Sequence, residues 1–120
     1  MEKYMDERLE KALNFSNYMV TLSNQKRILN EQFIENTLYY YNGCQFTVTK
    51  ELINFVNLLN ENDNDNTVLI DDNNIPVNVD NINSFLVDIL DVYFSASNTY
   101  LTEYNKLKSQ RSVEKLVDYD

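Results

Sequence analysis

Apolar residues recur along this chain at steps of three and four, the period of an α-helix, over two long stretches. The first covers about residues 3–41. Its apolar or small positions are Met5, Leu9, Ala12, Ser16, Met19, Ser23, Leu29, Phe33 and Leu38. Acids lead it (Glu2, Asp6, Glu7), which suits the positive end of a helix dipole. The patch Ser23–Arg27, "SNQKR", interrupts the stripe and marks a bend or an exposed turn. Asn42-Gly43 predicts the stop, because Gly takes the left-handed conformation that closes a helix.

The second long stretch, residues 81–108, is the more regular. Ile82, Leu86, Ile89, Tyr93, Ala96, Tyr100, Tyr104 and Leu107 form a near-heptad line, the spacing that packs helices along a shared seam. Phe85, Val92 and Phe94 widen it early. At 1.5 Å per residue the two predicted helices run roughly 57 and 40 Å. They are expected to pack antiparallel on each other or on a second copy of the chain.

Residues 44–80 switch period. "CQFTVT" alternates Phe46 and Val48 with Gln45 and Thr47, a short strand. Thr49 is placed to cap a helix, "KELINFVNLLN", that is apolar around much of its circumference and so is expected between other elements. "NENDNDN" reads as a loop. "TVLI", "DDNN" and "IPVNV" read as strand, turn and strand, a hairpin with Pro76 on an edge. Asp80 stands where a cap for the last helix belongs. A tail, residues 112–120, breaks the seam. Ser112 is placed to cap a short final helix with Val113, Leu116 and Val117, a possible docking motif for a partner groove. The expected fold is α+β and mostly helical: two long antiparallel helices with a small head of one short helix and about three short strands, including a hairpin. All of it is one domain.

Composition narrows the function classes. The 120 residues include 43% hydrophobic and 12% aromatic, enough for a core, but one Gly and one Pro, too few for a turn-rich all-β fold. The start is charged and has no apolar signal-peptide centre, no run approaches a membrane span, and Cys44 is alone. A protein of a reducing cytoplasm is expected, without a membrane partner.

Charge sharpens this. The net charge is −9, and Glu51 to Asn105 carries ten acids with no Lys or Arg. Such a segment repels a phosphate backbone, so no nucleic-acid partner is expected. Stacking of Tyr39-Tyr40-Tyr41 on bases is disfavoured on the same ground, and the seam tyrosines are expected to pack on protein.

Candidate chemistry fares poorly. An EF-hand loop needs Gly at its sixth position and Glu at its twelfth. From Asp63, with Asp65 and Thr67 in step, those positions are Val68 and Asn74; from Asp71 they are Pro76 and Ile82. A solvated acidic loop is expected instead. With no His and one Cys there is no zinc set, and Cys44 lacks a proton acceptor. Asp88 and Asp91 are helix neighbours, read as a solvated face. One Gly cannot build a phosphate loop. No catalytic residue, cofactor or metal is expected.

The segments "DERLEKALNFSNYMVTLSNQKRIL", "FTVTKELINFVNLL" and "DVYFSASNTYLTEYNKLKSQRSVEKLVD" resemble small proteins of contractile-tailed phages from marine bacteria, over nearly the whole chain. The resemblance implies a viral, intracellular origin and brings no site residues. Nineteen Asn and nine Tyr fit AT-rich coding. The layout of long helix, strands and long helix is similar to prefoldin, with "VLIDDNNIPVNVDNINSFLVDIL" resembling its hairpin and second arm. The chain departs from it in the helix Lys50–Asn60 between the strands and in a turn without Gly. That resemblance implies oligomerisation through strands and ATP-free holding of unfolded clients by helix tips.

The leading expectation is thus a non-enzymatic, oligomeric, prefoldin-like holdase or assembly helper in the cytoplasm of an infected bacterial host. An adaptor of phage replication or late transcription, docking by its acidic tail, is the alternative, and a minor virion component a third.

Overall fold

The computed structural model describes residues 2–119, with side chains from Asp6 to Gln110. Three helices and four strands follow in the order α1 (Glu2–Asn36), β1 (Leu38–Tyr41), β2 (Cys44–Thr47), α2 (Lys50–Glu61), β3 (Thr67–Ile70), β4 (Pro76–Val79) and α3 (Ile82–Tyr119). The molecule measures 76 × 25 × 21 Å, with a radius of gyration of 22.5 Å. A compact chain of this length has roughly 14 Å. The excess comes from α1 and α3, which leave the head side by side as an antiparallel arm.

The expected α+β architecture holds, with three changes of boundary. The first helix ends at Asn36 rather than Tyr41, and residues 38–41 are a strand. Thr37 marks the stop: its hydroxyl donates to the Ile34 carbonyl at 2.6 Å, and its own carbonyl accepts from the Val48 amide at 2.8 Å. Aromatic Tyr39-Tyr40-Tyr41 favours a pleated surface. Asn42-Gly43 is then a two-residue hairpin turn rather than a helix cap. Both residues have positive φ, 50° and 79°, as a type I′ turn requires. Tyr41 pairs with Cys44 and Leu38 with Thr47.

The strand expected alone in residues 44–49 therefore pairs with β1, and the described residues hold four strands in two separate antiparallel hairpins rather than about three. The second hairpin is as expected, with Ile70 opposite Pro76 and Thr67 opposite Val79. In two-stranded sheets every strand is an edge, so Pro76 removes no ladder bond.

The third change lies at the end. α3 runs without a break to Tyr119, so there is no separate tail helix capped by Ser112. The polar run "SQRS" interrupts the apolar pattern without containing a residue that forbids helix. The side chains of Val113, Leu116 and Val117 lie outside the described residues, as does that of Met5. α1 is likewise continuous through "SNQKR", where Arg27 pairs with Glu31 at 2.8 Å.

The core sits in the head. Phe46, Val48, Val56, Leu69, Val77, Val79, Ile82, Phe85, Leu86 and Ile89 form one buried cluster, so each hairpin, α2 and the first two turns of α3 contribute. Phe85 is its centre, with the rings of Tyr39, Tyr41 and Phe46 edge-on to it at 5.5, 5.6 and 5.3 Å. The cap of α2 is Thr49, whose hydroxyl accepts from the Leu52 amide. The cap of α3 is Asn81 rather than Asp80: its side chain accepts from the Ser84 amide at 3.0 Å. Asp80 instead accepts from Asn78. Nor is α2 enclosed on all sides. It buries Val56, half-buries Leu52, Ile53 and Leu59, and leaves Phe55 and Leu58 exposed.

Candidate protein-interaction surfaces

The predicted seam of α3 is largely an inward face. Ile82, Leu86, Ile89, Ala96 and Leu107 are buried, Tyr93 and Tyr100 half-buried, and Tyr104 lies at the edge, 37% exposed. Its first part closes the head core; the remainder meets α1. There Phe33 sets its ring edge-on to both Tyr93 (6.1 Å) and Tyr100 (5.2 Å). Tyr100 stacks on Tyr104 at 6.4 Å. Continuing along α1, Leu29 is half-buried, Leu22 buried and Tyr18 half-buried.

This corrects the stripe expected on α1. The observed inward line is Tyr18, Leu22, Leu29 and Phe33, with steps of 4, 7 and 4, as in a helix pair. Met19 and Ser23, one residue further on, are exposed, and so is Leu9. The register that puts Phe33 between two tyrosines also turns Leu29, Leu22 and Tyr18 inward.

α1 exposes every side chain from Asp6 to Asn17. Among them and just beyond, Leu9 (60%), Leu13 (55%), Phe15 (51%), Met19 (46%) and Val20 (58%) are large and apolar. Leu9 is 27 residues before Asn36, about 40 Å along the helix from the head. The outer end of the arm therefore carries an exposed apolar surface remote from the core.

Two open troughs lie where α1 meets α3. One, of about 260 Å³, is lined by Ile28, Leu29, Gln32, Glu103, Lys106 and Leu107 among others. The other, of about 450 Å³, lies nearer the head between Asn36, Leu38, Asp91, Ser95 and Thr99. Amides, hydroxyls and carboxylates line them beside apolar side chains, with Lys106 paired to Glu103 in the first and Asp91 one turn before Ser95 in the second.

The acidic segment has a structural use. Asp71 closes the β3–β4 turn: its Oδ1 accepts from the amides of Asn73 (2.9 Å) and Ile75 (2.8 Å). Its other oxygen is buried without a donor. Asp72 joins the two hairpins. Its carboxylate accepts from the Thr47 hydroxyl (2.6 Å), the Gln45 amide (3.0 Å) and the Thr47 backbone (3.0 Å), while its own N–H donates to the Gln45 carbonyl. Partial burial pushes the Asp72 carboxyl up, yet these donors outweigh it and hold the group below its ordinary value. The Asp65 carbonyl accepts from the Ile82 amide, tying the acidic loop to the start of α3. Among the described residues, no three His, Cys, Asp or Glu side chains cluster as metal ligands would.

The remaining candidates are absorbed by packing. Tyr39 donates to Asp88 at 2.8 Å. Burial first, then that bond and the charges of Asp88 and Tyr41, push its phenol up to about 12. Cys44 is half-buried in β2 against the core. Among the described residues no helix is long and apolar enough to cross a membrane. Comparison with protein families, with curated proteins and with solved structures returns no match.

Sequence reasoning missed a second stripe on α3. Val87, Phe94 and Leu101 stand seven apart and are each more than half exposed. The signal was available in their spacing, but Phe94 reads equally well as a widening of the inner seam.

Proposed function

We propose that this chain is a non-enzymatic, phage-encoded interaction protein that self-associates and holds apolar segments of other proteins, in the manner of a prefoldin-like holdase or assembly helper. Its workplace would be the cytoplasm of an infected bacterial host. The observation that carries the reading is the outer part of α1, about 25–40 Å from the head, where Leu9, Leu13 and Val20 are exposed on one side of the helix and Phe15 and Met19 on another. A monomeric soluble protein rarely leaves a large contiguous apolar surface uncovered unless something binds there.

Energetics are consistent with reversible holding. Covering a half-exposed Leu or Phe is worth roughly 1 kcal/mol at ordinary apolar-burial coefficients. Four or five such contacts supply roughly 4–5 kcal/mol, a millimolar to sub-millimolar affinity even before the cost of association is subtracted. That range suits transient retention of many clients better than a permanent complex. The layout of paired arms on a stranded head supports the same reading, and the phage assignment rests on the sequence resemblance alone.

The test is light scattering of a thermally unfolding reporter enzyme with and without the protein. Suppression of aggregation that falls away in the Leu9→Ser/Leu13→Ser/Phe15→Ser variant supports the reading. No suppression by the wild-type chain removes it. Deleting Ser112–Asp120 separates the adaptor reading, which requires partner capture to depend on that tail.

A further inference from the structure

The second hairpin turns an apolar face to solvent. Its register sets Val68 opposite Asn78 and Ile70 opposite Pro76, so these four side chains share the face away from the core. Leu69, Val77 and Val79 fill the other face and are buried. A hairpin with one buried face ordinarily alternates apolar-in and polar-out. Here Val68 is 57% and Ile70 58% exposed, and Pro76 is exposed beside Ile70. Of the four, Asn78 alone is polar.

The charges around this face are uneven. The head, residues 38–81, holds Glu51, Glu61, Asp63, Asp65, Asp71, Asp72 and Asp80 against Lys50. Several acids are engaged: Glu61 accepts from Asn57, Asp71 from the turn amides, Asp72 from Thr47 and Gln45, and Asp80 from Asn78. Asp63 and Asp65 are exposed in the loop that enters β3. The Asp65 carbonyl accepts from the Ile82 amide just past β4, so Asp65 stands at the Val68–Asn78 end of the face. Asp80, exposed although bonded to Asn78, stands at the same end. Lys50 follows Thr47, which Asp72 binds at the opposite, turn end.

We infer that this face docks an extended segment of another protein, aliphatic at its centre and basic at one end. An extended chain repeats its same-side residues about every 6.6 Å, the spacing of Val68 and Ile70, and packs on a sheet face at about 10 Å. Its aliphatic side chains cover Val68, Ile70 and Pro76, and its lysines or arginines meet Asp65 and Asp80. The same charges turn away a phosphate backbone and an anionic lipid surface. They also disfavour the same face of a second copy, because seven acids and one lysine would meet their own kind. The surface is separate from α1 and does not depend on client holding there.

Fluorescence polarisation on the full chain tests this with a labelled peptide that has a Val/Ile centre followed by lysines. Saturable binding is expected, at least about tenfold tighter than that of the same peptide with Ser for Val and Ile, or with Glu for Lys. Val68→Thr/Ile70→Thr keeps β-branched side chains and hence the strand. It should weaken binding about tenfold, with circular dichroism unchanged. Asp65→Asn/Asp80→Asn should weaken binding at low salt and less at high salt. Equal binding of either control peptide, or binding indifferent to Val68→Thr/Ile70→Thr, overturns the inference. So does self-association that this variant abolishes, because the face would then be a contact between copies. Peptide binding lost instead in Leu9→Ser/Leu13→Ser/Phe15→Ser overturns it while supporting client holding by α1. Reporter protection lost in that triple variant with peptide binding intact supports both surfaces.

Discussion

Replacing Phe85 by Ala tests whether one ring joins the arm to the head. Phe85 is 1% exposed and is, among the described residues, the fully buried aromatic that α3 places in the head cluster, with Tyr93 packed against its margin. Three rings meet it edge-on: Tyr39 and Tyr41 from β1, and Phe46 from β2. Truncating a buried Phe costs about 3–5 kcal/mol in transfer and cavity terms. Edge-to-face pairs add roughly 0.5–1.5 kcal/mol each, though the three are not independent. A total near 5 kcal/mol is expected, against a whole-domain stability of about 5–15 kcal/mol. For a chain of this length, 1 kcal/mol moves Tm by about 4 °C, so Phe85→Ala should lower Tm by roughly 20 °C. Urea unfolding followed by circular dichroism measures the loss, and hydrogen exchange should show it concentrated in Leu38–Thr47. Phe85→Leu keeps most of the volume and should cost only about 1–2 kcal/mol. A loss below about 1.5 kcal/mol for Phe85→Ala, or equal losses for Ala and Leu, would refute the reasoning.

Other predictions follow from the same contacts. Tyr93→Ala and Tyr100→Ala should each destabilise by about 1–3 kcal/mol, and a double-mutant cycle of Phe33 with Tyr100 should give a coupling of about 0.5–1.5 kcal/mol; additivity would mean the rings do not interact. Asp72 has its folded pKa below the unfolded value, so its contribution is present above about pH 4 and is lost as pH falls through the folded pKa. Asp72→Asn should therefore lose stability at pH 7 and flatten the acid limb of a stability–pH curve, and an unchanged limb counts against the hairpin clasp. Tyr39 titrates at about 12, above the ordinary phenol near 10. Its contribution is thus present below about pH 10 and lost as pH rises through 12, and Tyr39→Phe should remove a phenol titrating near 12 from an ultraviolet titration. Gly43→Ala meets no steric neighbour but keeps a φ of 79°, so it should cost about 1 kcal/mol from backbone strain alone.

The architecture was legible where one period dominated. The line from Ile82 to Leu107 gave the inner face of α3 because its steps match a helix pair. "VLIDDNNIPVNV" gave the second hairpin because its apolar runs flank residues that bond their own backbone. The first hairpin was concealed by coincidence. Leu38 stands just past the last helical step, five residues after Phe33, and Asn-Gly serves equally as a helix stop or a type I′ turn. The aromatic run beside it was the deciding signal. On α1 the choice between Leu22 and Ser23 depended on where Phe33 sits between Tyr93 and Tyr100, a tertiary fact. The clasp of Asp72 on Thr47 and Gln45 spans more than 20 residues and leaves no local trace.

The exposed apolar arm is the centre of this account, and aggregation suppression measures it most directly. The wild-type chain should hold a thermally unfolded reporter enzyme in solution, and Leu9→Ser/Leu13→Ser/Phe15→Ser should lose that protection while keeping its helicity. Equal protection by the triple variant, or none from the wild type, would contradict it.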